Sequence, residues 1–244
     1  RACSAELIFP HSLEGEPFQI DCGVRVQGNT SRSASSNPKH SLRLAFRGQY
    51  GKSKLNYRFF GEDGPAEFDT LVLRSNSQDG WVYSSARNRL GQFVRDAWAR
   101  ETHRRMGHAS PDSNWVHLYL NGLYWGLYNV VERPDASFMS SYFGGEKEEY
   151  GSTNHGGPVS GPQDRFDVLL RLAQEGGLAD AERYATMLEF IDPMHFADYL
   201  IVNWYAGNQD WPENNWYAGV PYPAGPNHFF VWDAEATWDS GAEI

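Results

Sequence analysis

Residues 116–135, VHLYLNGLYWGLYNVVERPD, set an Asn121-Gly122 pair between two runs of apolar and aromatic residues. Asn-Gly accepts the two positive-φ positions of a tight hairpin turn, so the stretch predicts strands over 115–120 and 124–132. Pro134 then opens a short helix that Gly144 closes.

Reading upstream from this hairpin, 18–27 (FQIDCGVRVQ) is a strand that runs into the polar loop GNTSRSASSNP. The stretch 39–47 (KHSLRLAFR) alternates Leu42, Leu44 and Phe46 with polar neighbours and is a second strand, and 68–74 (FDTLVLR) a third. Residues 83–106 are helical by pattern, with Leu90, Phe93, Val94, Ala97 and Trp98 on one face and Met106-Gly107 as the stop. Downstream, 145–163 is rich in Gly, Ser, Glu and Pro and reads as a surface loop. Helices follow over 164–174 and 179–190, and a third starts at Asp192-Pro193, an N-cap with Pro at the first helical position. It runs to Gly207 and feeds the loop NQDWPENN, after which 216–217 and 228–232 form a short strand pair around PYPAGP. This order predicts an α+β fold with a strand-rich N-lobe over 1–133 and a helical C-lobe over 134–244. It is the element order of a two-lobed protein-kinase-like fold with a nucleotide cleft between the lobes, an analogy that does not by itself fix function.

The formal charge of -10 offers no basic stripe and argues against non-specific nucleic-acid binding. It leaves nucleotides open, because a bound metal can bridge acidic side chains to phosphates. No apolar run is long enough to span a membrane. Cys3 and Cys22 are either one disulfide or two unrelated thiols, so the compartment stays open. Arg1 in place of Met, with no charged-then-apolar leader behind it, reads as the start of a processed or excised segment.

Phosphoryl transfer needs phosphate charge neutralised, metal held, and the attacking hydroxyl positioned. Kinases do the last two with a D-x-x-x-x-N pair and a later metal-binding Asp. Asp210-Trp-Pro-Glu-Asn-Asn215 has that spacing, and Trp232-Asp233-Ala234-Glu235 puts further carboxylates after a strand. Hard cations such as Mg2+ take oxygen donors of these types. The spacing alone is equally that of an Asx-rich turn; the helix before it and the strand-Trp-Asp after it favour the site. For phosphate, Gly28, Asn29, Thr30, Ser31 and Arg32 follow a strand, where small residues let backbone N–H groups approach oxygen. Lys39 opens the next strand. Glu101 on the long helix is the acid of the right length to pair with it, with Asp96 nearby, although a solvated helix-face charge is the commoner role.

Other chemistries are weaker. The eight His show no H-x-x-x-H or H-E-x-x-H pattern, and His103 and His108 are spaced for different helical faces, so they read as surface or helix-end residues. No G-x-S-x-G elbow marks a serine hydrolase. Trp81, Tyr83, Trp98, Trp115, Tyr124, Trp125, Tyr128, Trp204, Trp211 and Trp216 suit either a binding surface or, for most of them, core packing and cleft lining.

VRVQGNTSR with PKHSLRL, SSARNRLGQFV, VHLYLNGLYWGLYNVVERPDASFMSSYFG, NQDWPENNWY and FFVWDAEATW together resemble the CotH kinase family, named for spore-coat protein H. The resemblance runs from about residue 24 to the C-terminus, and the hairpin block is its most specific part. It implies an atypical kinase fold that uses ATP and Mg2+ or Mn2+ and phosphorylates Ser/Thr of a protein substrate, chiefly of the spore coat or cell surface. Lys39 would meet the ATP phosphates. Asp210 would orient the acceptor hydroxyl, or hold metal in place of that role, and Asn215 and Asp233 would bind metal. Glu132 would sit where a hinge-like segment passes the nucleotide, or tie strand to helix. Arg87-Asn88 match the family's helix-start motif. Glu235 stands where the family commonly has Asp; it still offers a carboxylate to the metal, with a longer reach. Family domains usually continue with more helices after the Trp-Asp motif, so a partial C-lobe is expected. Non-catalytic coat assembly, and nucleotidyl or glutamyl transfer on the same fold, are the alternatives.

Overall fold

The computed structural model describes residues 1–10, 13, 15–82 and 91–238. Two compact units share the chain: Arg1–Arg89 with Ser113–Arg133, and Leu90–Asp112 with Pro134–Ile244.

The first unit is strand-rich. Its strands are β1 (Ala2–Leu7), β2 (Phe18–Gln27), β3 (Ser41–Ala45), β4 (Leu55–Asn56), β5 (Glu67–Phe68), β6 (Thr70–Arg74), β7 (Ser113–Leu120) and β8 (Leu123–Glu132). Six form one sheet in the order β1-β2-β3-β6-β8-β7, antiparallel throughout, while β4 pairs with β5. The hairpin turns as expected: Asn121 and Gly122 take φ of 50° and 81°, and Leu120 faces Leu123. Alternation along the strands sends Ile20, Cys22, Leu71, Leu73, Tyr128 and Val130 into one core with Phe46, Leu55 and Phe68. Burial of each large apolar side chain there contributes roughly 1.5–3 kcal/mol. The strand expected over 39–47 begins only at Ser41, which leaves Lys39 in the preceding loop. β1, which no pattern singled out, pairs along the edge of β2.

The second unit holds α1 (Arg95–Arg105), α2 (Ala136–Phe143), α3 (Asp164–Glu175), α4 (Ala181–Leu188) and α5 (Pro193–Tyr205), with β9 (Tyr150–Asn154), β10 (Gly157–Ser160), β11 (Trp216–Pro221) and β12 (His228–Val231). The strands form an antiparallel sheet in the order β10-β9-β11-β12. Asp135, Asp180 and Asp192 cap α2, α4 and α5, each accepting two backbone N–H bonds.

Two expectations fail here. The supposed surface loop 145–163 contributes β9 and β10; its Ser152 and Thr153 are buried because β11 supplies a partner edge. Composition concealed strands that tertiary pairing creates. The long helix is also shorter and faces otherwise. Phe93 takes φ 66°, the helix begins at Arg95, and Val94 and Trp98 are exposed, while Asp96, Ala99, Arg100 and His103 form the buried face. Leu90, Arg87 and Asn88 lie outside the described residues, as does Tyr83.

Candidate functional site

The second unit brings the two acidic motifs together. α5 ends at Tyr205, and the loop after it carries Asp210 and Asn215; β12 ends at Val231, and the turn after it carries Asp233 and Glu235. Backbone bonds lace loop to turn: Gln209 N–H donates to Ala236 O at 3.0 Å, and Trp238 N–H to Ala206 O at 3.0 Å. The Asn215 amide completes the join. Its Nδ2 donates to Asp210 Oδ2 at 3.0 Å and to the Asp233 carbonyl at 3.1 Å. Both partners are pure acceptors, so the amide orientation is fixed, with Oδ1 turned away from them. Asn214 Nδ2 donates to the other Asp210 oxygen at 3.2 Å, so two amides steer one carboxylate.

Asn215 and Asp233 both occupy the left-handed region, with φ of 63° and 59°. Asn and Asp are the non-glycine residues that reach it most readily, and such conformations cluster at functional sites. Asn215 and Glu235 are buried, while Asp210 and Asp233 are partly exposed. Oxygen donors from two carboxylates and an oriented amide are the set that a hard divalent cation takes.

The support beneath this cluster was not legible beforehand. Asp96 Oδ1 accepts the Ala234 N–H at 3.0 Å, which anchors the turn just after Asp233. The other Asp96 oxygen pairs with Arg100 Nε at 3.2 Å, both side chains 1% exposed, and Arg100 Nη1 donates to Pro111 O at 2.8 Å. The i, i+4 spacing of Asp96 and Arg100 was the available signal, obscured by the rule that a helix buries its apolar face. Glu101, by contrast, is committed to Arg104 and Arg105 on the exposed side, the solvated role. A buried amide chain also steadies the loop: Asn208 Nδ2 donates to Asn203 Oδ1 at 2.9 Å, and Asn203 Nδ2 to Tyr199 O at 3.0 Å. Trp211 Nε1 donates to Tyr199 Oη at 2.7 Å.

The phosphate-side candidates all lie in the first unit. Gly28 takes φ 119°, which suits glycine, and Thr30–Arg32 form one 3-10 turn in which Arg32 N–H donates to Asn29 O at 3.1 Å. His40 Nδ1 lies 3.3 Å from Ser31 O, tying this turn to the segment that carries Lys39. Lys39 Nζ donates to Leu127 O at 2.5 Å and lies 4.6 Å from the Tyr128 ring centroid. Burial pushes its ammonium down to about 8. Glu132, opposite Leu71 at the end of β8, is 3% exposed.

His103 does lie in the last turn of α1, but the expectation that it and His108 face apart is overturned. Gly107, at φ 96°, reverses the chain after α1, so His108 is not on the helix and sequence spacing says nothing about where its ring goes. His103, His108 and His195 come together with one ligand atom each inside 4.8 Å. Burial, and then the neighbouring imidazoles, push His103 down to about 3; burial with His108 brings His195 to about 4. The expectation that most of the named aromatics would pack inside is also corrected. Trp81, Trp98, Trp115, Tyr124, Trp125 and Trp204 are exposed, whereas Tyr128 is buried.

No curated protein sequence matches the chain significantly. The family model described as CotH kinase protein matches residues 24–243, nearly the whole chain, and on that match the protein belongs to the CotH kinase family.

Proposed function

We propose that this protein is an atypical kinase that transfers the γ-phosphoryl group of ATP to Ser or Thr of a protein substrate, with Mg2+ or Mn2+. The observation that carries the reading is the Asn215 amide spanning the Asp210 carboxylate and the Asp233 carbonyl. It supports a role for both acidic motifs in one site.

Asp210 orients the acceptor hydroxyl and receives its proton as the hydroxyl oxygen bonds to the γ-phosphorus. The bond from that phosphorus to the β–γ bridging oxygen breaks, and ADP leaves with its electron pair. Asn215 Oδ1, Asp233 and Glu235 are the metal-holding oxygens. The divalent cation, when bound, neutralises developing charge on the phosphates. Lys39 adds positive charge toward the phosphates, and the Gly28–Arg32 turn offers backbone N–H groups. Glu132 is assigned to the nucleotide's surroundings by family resemblance alone. A kinase-like fold belongs to the same proposal, as does a coat or surface protein as substrate.

Calorimetric titration of ATP with Mg2+, repeated in EDTA and with Asp233→Asn, tests the reading. Binding that needs the metal and is lost in the folded variant supports it, and phosphorylated product would complete it. A well-folded wild type with no metal-dependent binding would overturn it in favour of a non-catalytic assembly module, and nucleotidyl or glutamyl adducts detected by product mass would replace the reaction assigned.

A further inference from the structure

Three histidines of the second unit form a cluster that the phosphoryl-transfer reading does not use. His103 lies on α1, His108 just past its end, and His195 in the first turn of α5. The arrangement of their nitrogens has the character of a ligand set. His108 Nδ1 and His195 Nδ1 face each other at 3.2 Å. Two nitrogens bound to one tetrahedral zinc at about 2.0–2.1 Å lie about 3.3–3.4 Å apart, close to that separation. The far nitrogens of His108 and His195 have the outer partners typical of metal ligands. His108 Nε2 donates to Asp198 Oδ2 at 2.7 Å, and His195 Nε2 lies 3.0 Å from the Phe229 carbonyl. A carboxylate or carbonyl in that position fixes the tautomer that turns the other nitrogen's lone pair toward a metal.

His103 decides between this and an ordinary histidine pair. The Phe229 N–H also lies 2.9 Å from His195 Nε2, so the opposite tautomer would let His195 Nδ1–H donate to His108. That pairing accounts for two rings and leaves the third without a role. His103 is 0% exposed, and neither of its ring nitrogens has a hydrogen-bond partner among the described residues. Its ring centroid lies 4.8 Å from that of His108 and 5.4 Å from that of His195. Buried polar nitrogens left unpartnered are unfavourable, and a shared cation takes up one of the two on His103.

We propose that His103, His108 and His195 bind one transition-metal ion, zinc foremost, with Asp198 and the Phe229 carbonyl orienting the ligand rings. Three neutral imidazoles suit zinc and its first-row neighbours and not Mg2+, which demands oxygen. The site is therefore distinct from the Asp210–Asn215–Asp233 cluster and does not depend on its assignment. His108 and Asp198, with side chains 17% and 24% exposed, give the ion a route from solvent and leave the fourth tetrahedral position to water. His228 stands beside His195, its ring stacked on Phe143 at 4.2 Å, and is not counted as a ligand.

The test is titration of chelator-stripped full chain with CoCl2, followed by ZnCl2. The expected result is a visible d–d band that saturates at one equivalent and is displaced by one equivalent of zinc. Asp233→Asn should keep the band, and His195→Ala should lose it. Should His195→Ala not fold, Asp198→Asn, in which the pocket stays intact, should weaken affinity 10–100-fold. A folded wild type with no d–d band, or a band abolished by Asp233→Asn and kept by the histidine and Asp198 variants, would overturn the proposal.

Discussion

Asn215 Nδ2 lies 3.1 Å from the carbonyl oxygen of Asp233, across 18 residues of chain, and with its other proton it holds the Asp210 carboxylate at 3.0 Å. One buried amide thus fixes the distance between two acidic motifs on separate loops. Because both neighbours are acceptors, the group that stands there must be a donor.

Asn215→Asp therefore replaces the two-proton donor amide with a carboxyl group set against two acceptors, at almost unchanged volume. The loss of each buried bond costs about 1–3 kcal/mol, so metal-dependent ATP affinity should fall at least tenfold together with a lower melting temperature. Calorimetry and thermal melts read both, and wild-type values in both would remove Asn215 from its linking role.

The Asp96–Arg100 pair holds the turn after Asp233 from below through the Ala234 N–H. Asp96→Ala leaves a buried guanidinium without its carboxylate and should destabilise the chain by about 3–5 kcal/mol. The double variant Asp96→Leu with Arg100→Met should recover part of that in urea unfolding, yet still lose metal-dependent binding, since the Ala234 N–H then has lost its carboxylate acceptor. Recovery of binding along with stability would show that the pair serves packing alone.

Lys39 has a folded-state pKa lowered by burial to about 8, below the roughly 10.4 of an unfolded lysine. Between those values the unfolded chain binds more protons, so this group makes stability rise as pH rises from about 8 to about 10.4, and its penalty is fully present below 8. Lys39→Met should remove that rise, as measured by urea unfolding at pH 7 and pH 9.5. If Lys39 meets phosphate, ATP binding near pH 8 should also take up a proton, visible as a dependence of the calorimetric heat on buffer ionisation enthalpy and absent from Lys39→Met.

Cys3 and Cys22 face each other across β1 and β2 with their sulfurs 3.4 Å apart. A mild oxidant should join them, with the mass loss of two hydrogens, and closing a loop of this size should add ~3 kcal/mol of stability. Burial, with Cys3 beside it, pushes the Cys22 thiol up to about 12, so oxidation should be slow at neutral pH and accelerate in alkali. Mass spectrometry and melts with and without reductant check both.

The sequence alone determined the elements whose signals are local. Asn121-Gly122 fixed the hairpin because few residues accept two successive positive φ angles, and Asp192-Pro193 fixed the start of α5 because a cap and a preset φ act within one turn. It also paired Asp210, Asn215 and Asp233 as motifs, because their spacing is written along the chain. Tertiary structure alone decided which face of α1 is buried, since Asp96 and Arg100 meet each other there, with the Ala234 N–H on Asp96 and the Pro111 carbonyl on Arg100. It alone made strands of 150–160, where β11 offers an edge that composition cannot disclose. It alone joined His103, His108 and His195, because a left-handed Gly107 redirects the chain and α5 arrives from far along the sequence; periodicity carries no information about such convergence.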